Sequence, residues 1–294
     1  VGLLVVGMTG GLFVTTSSAV AQTPARPSPG QQVVLVTGST GGLGREVARR
    51  IASGGAHVIV HGRNRARGLE LVEEVEREGK GSARFYAADL ASFAQVREFA
   101  EAILRDYDRL DVLINNASIR MRDVEPSTVI NVLDTNNGQW QRTFEVSLFG
   151  TIKVIRRFVQ PMLVAKSGSI INIFSSSGVQ GRPGNQPYGA VKAALNNMTQ
   201  SLSGELKEHN IAVNSLMPGG TRSTGYDEQT RLQRELGRVR RQLPVRPDHT
   251  VPAALFLAQQ NAASFTGESV DALKWNETNG FGGYDAWVSP DQAG

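Results

Sequence analysis

Cysteine is absent from all 294 residues, which excludes disulfides, thiol nucleophiles and cysteine-ligated metal centres. Histidine is scarce too. The four rings, His57, His61, His209 and His249, show no metal-ligand spacing and read as strand, loop or helix-end residues, so no metal is expected. Charge of one sign is nowhere concentrated: the net charge is +4, and basic residues are spread among acidic ones. That distribution leaves no nucleic-acid footprint. Hydrophobic residues make up 40% of the chain, enough for one large α/β domain with a sizeable core.

Residues 1 to 25 carry no charge at all. Val1 to Val14 is mostly apolar, and a Ser/Thr run then leads to Ala19-Val20-Ala21, the pattern of a secretory signal with cutting expected after Ala21. The basic leader of such a signal is missing. As an uncleaved anchor the apolar part is short against the ~20 residues of a membrane helix. Residues 22–31 hold Pro24, Pro27 and Pro29 and read as a linker. The expectation is an exported, periplasmic protein, with membrane attachment only through residues 1–21 if they are retained and a cytoplasmic location if they are no signal. Residues 32–294 then form a single domain.

Gln32 to Thr37 is a short apolar, β-branched run, read as a buried strand. It feeds Thr37-Gly38-Ser39-Thr40-Gly41-Gly42-Leu43-Gly44 and a helical Arg45 to Ala52. Glycines are needed where backbone turns sharply and approaches a pyrophosphate, whose charge rests on the helix N-terminus. Further strands are expected at His57 to Val60, Ala83 to Ala88, Leu110 to Ile114, Ser169 to Phe174, Ile211 to Leu216 and Ser269 to Leu273, with a covering helix at Leu69 to Arg77. Together they describe a doubly wound parallel sheet of about seven strands with helices on both faces. Between Ala56 and Gly68 there is no Asp or Glu, whereas Arg63 follows the second strand. An acid there would select NAD, and an Arg suits a 2′-phosphate, so NADP(H) is the expected cofactor with NAD(H) as the alternative.

Tyr188 and Lys192 stand four residues apart at the start of an apolar helical run and so share a helix face. A phenol with an ordinary pKa near 10 becomes a useful acid close to neutrality when a fixed cation draws that value down. Ser175 precedes Tyr188 by thirteen residues, across a Gly- and Pro-rich loop able to bring its hydroxyl back.

TGSTGGLG at 37–44, NNAS at 115–118, and Ser175, Tyr188 and Lys192 in order resemble the short-chain dehydrogenase/reductase family, from about Gln32 to Gly267. The resemblance implies hydride transfer between NADP(H) and a small-molecule carbonyl or secondary alcohol, and a homodimer or homotetramer. It implies that Ser175 bonds the substrate oxygen, Tyr188 moves its proton, and Lys192 lowers the Tyr pKa and holds the nicotinamide ribose. For the cofactor it implies Thr37, Gly38, Ser39, Thr40, Gly42, Leu43 and Gly44 at the phosphates, and Asp89 and Leu90 at the adenine. Asn116 and Ala117 would flank it, and Pro218 and Gly219 would lie beside the nicotinamide. Ser223 falls where the family binds the carboxamide, with Thr221 and Thr224 as competitors.

Asp89 also suits a cap for a helix starting near Phe93. Ser118 stands where the family has glycine. Ser147, seven residues beyond Trp140, stands where it has the Asn that holds a water behind the lysine; a hydroxyl with an added water is expected to serve instead. From Gln139 onward, Trp140, Phe144, Leu148 and Ile152 are expected to form an apolar helical stripe. Residues 119–137 read as a loop, and the Arg-rich 221–243 as a region covering substrate or a solvated helix. A tail follows residue 273. The rival readings are a non-catalytic NADP(H) sensor on the same fold and, more remotely, an epimerase or dehydratase.

Overall fold

The computed structural model describes residues 26–119, 131–181, 183–222 and 243–289. Strands β1 (Val33–Val36), β2 (His57–Gly62), β3 (Ser82–Ala87), β4 (Val112–Asn115), β5 (Gly168–Ile173), β6 (Ile211–Met217) and β7 (Ser269–Asp271) form one sheet in the order β3-β2-β1-β4-β5-β6-β7. Every pairing is parallel. The central strands β1 and β4 read as apolar runs because both faces are covered, whereas the edge strands β3 and β7 are partly exposed and carry polar residues. Val34, Val36, Val58, Val60, Val112, Ile114 and Ile171 enter one core, while their alternate neighbours Val33, Leu35, Ile59, Leu113 and Ile170 enter the other.

The first core is closed by α1 (Gly42–Ser53), α2 (Arg65–Glu78), α7 (Val251–Ala258) and the start of α8 (Ala272–Thr278). The second is closed by α3 (Phe93–Asp106), α5 (Gly150–Ala165) and α6 (Tyr188–Leu206). Strand order reverses between β1 and β4, and open α/β sheets bind ligands at such a point, outside the strand carboxyl ends. Among the described residues no helix is long and apolar enough to cross a membrane. The expected signal at 1–21 lies outside the described residues.

Three expectations are corrected. Asp89 does not cap α3: Ser92 does, accepting from the Gln95 N–H at 3.3 Å. The last strand ends at Asp271, whose Oδ1 accepts from Leu273 and Lys274 N–H at 3.0 and 3.2 Å, so Ala272 and Leu273 open α8. An Asp satisfying two orphan donors starts a helix more effectively than two apolar residues prolong an edge strand. The stripe of Trp140, Phe144, Leu148 and Ile152 is only half-buried. Helix α4 (Asn137–Phe144) runs through a π turn at Glu145–Phe149 into α5, and the face it buries is Gln139, Thr143, Ser147, Thr151 and Val154. The buried set also repeats every four residues, one position before the expected stripe, because the wider π turn offsets the drift that a 3.6-residue helix alone would give; the expected period is right and the expected phase is not.

Candidate active site

Thr37 leaves the carboxyl end of β1 and is buried, its Oγ1 accepting from the N–H groups of Asn116 and Ala117, both at 3.1 Å. Asn116 Nδ2 donates in return to the carbonyls of Thr37 and Gly38, each at 3.0 Å. The loops after β1 and β4 are thereby knitted across the switch point. Gly38 has φ +65°, and a Cβ there would lie 2.8 Å from Ala117 Cα. At Gly44 a Cβ would lie 2.3 Å from Asn116 Nδ2 and 2.5 Å from the Gly38 carbonyl. Gly41 precedes α1 with no side-chain cap, which leaves the first-turn N–H groups as an anion site. This glycine cradle and uncapped helix fit a dinucleotide pyrophosphate.

Ser39 is turned inward. Its Oγ donates to the Val36 carbonyl at 2.7 Å and accepts from the His61 N–H at 3.0 Å, so its side chain shapes the cradle from beneath. His61 Nδ1 accepts the Gly38 N–H at 3.1 Å, and its ring lies 4.7 Å from that of Phe99. Burial depresses the His61 pKa to about 4, leaving a neutral ring. Thr40 packs against Gly62, where a Cβ would lie 2.5 Å from Thr40 Cγ2, and Leu43 packs half-buried on the first core.

Asp89 follows β3. Burial opposes its ionisation, but the Ala91 N–H, Arg142 and the charge of Arg63 outweigh this and hold the carboxyl below its ordinary range. Arg142 reaches from α4 to Asp89 Oδ2 at 3.4 Å, and Arg63 is exposed. Leu90 is buried against the start of α5, where a Cβ at Gly150 would meet its own Cβ at 2.9 Å.

At the end of β5, Ser175 caps the turn Ser176–Gly178, its Oγ accepting from the Ser177 N–H at 3.3 Å. That turn lies directly on α6. A Cβ at Gly178 would be 2.7 Å from both Lys192 C and Ala193 N, and one at Gly189 would be 2.9 Å from the Ser177 carbonyl. Tyr188 opens α6 half-buried, whereas Lys192 is 3% exposed. Lys192 Nζ donates to the Ile173 carbonyl at 2.7 Å and stands 5.6 Å from the Tyr188 ring centroid. A buried amide chain steadies this edge: Asn115 Nδ2 donates to Asn172 Oδ1 and Asn172 Nδ2 to Thr199 Oγ1 on α6, both at 2.9 Å. After β6, the Pro218 carbonyl accepts from Thr221 Oγ1 at 3.2 Å, and Gly219 adopts φ +72°. Ser223, Thr224, Arg231, Arg234, Arg238, Arg240 and Arg241 lie outside the described residues, whereas Arg222 donates from Nη1 to Ser289 Oγ at 3.1 Å.

The family model for short chain dehydrogenase matches residues 32–235. The chain belongs to the short chain dehydrogenase family. A fluoren-9-ol dehydrogenase of Terrabacter sp. is 34% identical to it over 268 residues, 87% of this chain and 74% of that protein. A 3-oxoacyl-(acyl-carrier-protein) reductase of Aquifex aeolicus is 32% identical over 244 residues, 81% and 94% of the two chains. The crystal structure of a 3-oxoacyl-(acyl-carrier-protein) reductase from Agrobacterium tumefaciens with NADP bound is similar at 27% identity and TM-score 0.72, covering 82% of this chain and 92% of the other.

Against the short chain dehydrogenase pattern, the two unusual serines meet. Ser147, 1% exposed in the π turn, accepts from Ser118 Oγ and from the Ile119 N–H, both at 3.1 Å. Its carbonyl accepts from Thr151 Oγ1 at 3.1 Å. Sequence reasoning noted each departure separately and missed the bond between them. It also missed Arg142 beside Asp89, and Asn172 with Thr199, none of which belongs to a local motif.

Proposed function

We propose that this short chain dehydrogenase interconverts a carbonyl and a secondary alcohol with NADP(H) as its preferred cofactor, using Ser175, Tyr188 and Lys192. One observation carries the reading: a buried ammonium pinned to the Ile173 carbonyl stands one helical turn from the Tyr188 ring, on the helix that holds the Ser175 turn. A fixed positive charge favours the phenolate over the phenol, which suits Tyr188 to give and take a proton near neutral pH. Ser175 donates a hydrogen bond to the same substrate oxygen. Lys192 Nζ carries further donors for the nicotinamide ribose. When bound, the nicotinamide supplies or accepts the hydride.

Thr37, Gly38, Thr40, Gly42, Leu43 and Gly44 would hold the phosphates by loop shape and helix N-terminus, and Ser39 by bracing that loop from inside. Leu90 and Asp89 would line the adenine, with Asn116 and Ala117 beside the ribose and Pro218, Gly219 and Thr221 beside the nicotinamide. Arg63, with Arg142 as a second cation across Asp89, is our ligand for the 2′-phosphate, and the NADP bound to the Agrobacterium relative supports this choice. For the substrate we propose cyclic secondary alcohols and their ketones, because the Terrabacter relative is a fluoren-9-ol dehydrogenase. We also propose export directed by residues 1–21 and a homodimer or homotetramer.

The test is a panel of cyclic ketones and alcohols, fluoren-9-ol included, run with NADPH and with NADH. Turnover that favours NADPH is the expected result. Tight NADPH binding with no turnover across the panel would establish the sensor reading instead, and preference for NADH would remove the role of Arg63.

A further inference from the structure

The loop Pro218-Gly219-Gly220 follows β6 on the strand next to β5, and the Phe174 N–H donates to the Leu216 carbonyl at 2.8 Å, so the loop emerges beside Ser175. Within itself the loop is joined only through Thr221, whose N–H donates to the Gly219 carbonyl at 3.0 Å and whose Oγ1 donates to that of Pro218, so nothing in these bonds fixes it against the sheet. Proline has no N–H, Gly219 lies at positive φ, and a Cβ at Gly220 would meet nothing within 4 Å. Its position therefore depends on what grips its carbonyls. Gly220 is gripped by the Val245 N–H at 3.0 Å. Pro218 is gripped by Thr221 and, at 2.6 Å, by Nε2 of His249, a residue thirty-one positions away in a different segment.

His249 is wholly buried and both ring nitrogens face backbone carbonyls: Nε2 that of Pro218, and Nδ1 that of Arg246 at 2.5 Å. Its own carbonyl accepts from Asn276 Nδ2 at 2.7 Å, and Trp287 stands edge-on to the ring at 6.4 Å. The imidazole thus ties the loop after β6 to the turn before α7 and to the C-terminal helices. Burial draws the ring toward its neutral form, while the two carbonyls and the charges of Asp248 and Asp271 pull the other way. Burial prevails and the ring is held neutral, with one N–H for two facing carbonyls; the Arg246 carbonyl already accepts the His249 backbone N–H at 3.3 Å, so we assign the ring hydrogen to Nε2, where the Pro218 carbonyl can only accept.

We infer that His249 is a positioning residue for cofactor binding, setting the Pro218–Thr221 loop through Nε2 donation to the Pro218 carbonyl. The inference rests on the proposed reading in one respect, that this loop lies against the nicotinamide. An ordinary buried histidine would need only its volume and some partner for the ring. The positioning role needs one particular nitrogen, and two isosteric variants separate the possibilities: a Gln amide nitrogen falls near imidazole Nε2, and an Asn amide nitrogen near Nδ1.

Wild type, His249→Gln and His249→Asn are titrated with NADPH by fluorescence, with Tm measured for each. Gln should keep the Kd within about threefold of wild type, and Asn should raise it by roughly tenfold, the weight of one hydrogen bond, at similar Tm. Equal affinity in the two variants would overturn the inference. If wild type binds neither NADPH nor NADH, the proposed function fails, and amide exchange at Gly219 to Thr221 decides the loop contact by itself. Faster exchange in Asn than in Gln would support it, and equal exchange would refute it.

Discussion

On the nucleotide side of the crevice, Gly38 and Gly44 leave no room for a Cβ because the backbone of Ala117 and the amide of Asn116 already occupy that space. On the proposed reaction side, around residues 118–119, 147 and 218–221, position is set by hydroxyls and one ring bonded to backbone and, between Ser118 and Ser147, by one hydroxyl bonded to another. Interlocked backbone admits few alternatives, since any added atom must move a neighbour. A loop held by a side-chain hydrogen bond can change partners when two residues change together. Ser118 and Ser147 show the latter case: both depart from the family pattern, and the two hydroxyls bond to each other.

The sharpest contrast between these regions is in what each controls. Tyr188→Phe removes the proton and leaves the cradle intact, so turnover should fall by about 10³-fold or more while NADPH binding persists. Lys192→Ala should damage both, because it removes the charge beside the phenol along with the donors proposed for the nicotinamide ribose. Steady-state rates on the best panel substrate and NADPH titration check the pair. Loss of cofactor binding in Tyr188→Phe would show that the two sides are not separable.

Gly44→Ala attacks the opposite side. The new methyl would have to displace Asn116 Nδ2 or the Gly38 carbonyl, breaking the bonds that join the loops after β1 and β4. A cost of about 1–3 kcal/mol in urea unfolding is expected, with cofactor affinity lost and no selective effect on proton transfer. Unchanged affinity would show that the cradle is looser than its contacts.

The cradle should also weaken in acid before the carboxylates do. His61 has its pKa lowered to about 4 by burial, and His57 likewise by burial and the Arg84 charge, against 6.5 for an ordinary imidazole. The unfolded chain therefore binds protons that the folded chain refuses. Stability from these neutral rings is complete above about pH 6.5 and is lost as pH falls toward 4, by at most roughly 3 kcal/mol per ring. Asp89 and Glu46 also have lowered values, but their contributions fade only as pH falls through the ordinary carboxylate range and below. Urea unfolding between pH 7.5 and 5 should show the slope, and His61→Gln should reduce it. An unchanged slope would deny His61 its share.

The nucleotide side was largely legible in the residues alone. Strand β1 is an unbroken apolar run because it is covered twice, and Gly38, Gly42 and Gly44 are required by positive φ or by close contact, so pattern and structure coincide there. Ser39 was legible as a loop residue but not as one facing inward, since nothing local reveals that His61 waits beneath it. Arg142 lies fifty-three residues from Asp89, and its approach depends on the phase with which α4 enters the π turn, which the residue pattern does not set. Pairing across such distances is a property of the fold, and the reaction side is built mostly of such pairings.

Ser147→Asn is the mildest of these perturbations. If the serine pair is a compensated exchange, this substitution alone restores the family side chain but sets it against Ser118, where the family has no side chain at all. The amide has donors and acceptor enough to keep the Ile119 N–H satisfied, so turnover should hold within about threefold or rise. Ser118→Gly alone should cost more than Ser147→Asn, because it removes one of the two bonds that hold Ser147 Oγ and frees the backbone at 118. The double variant should recover that loss, and a double-mutant cycle on kcat measures the coupling. Additive effects would mean that the two serines arose independently and that the bond between them carries no functional weight.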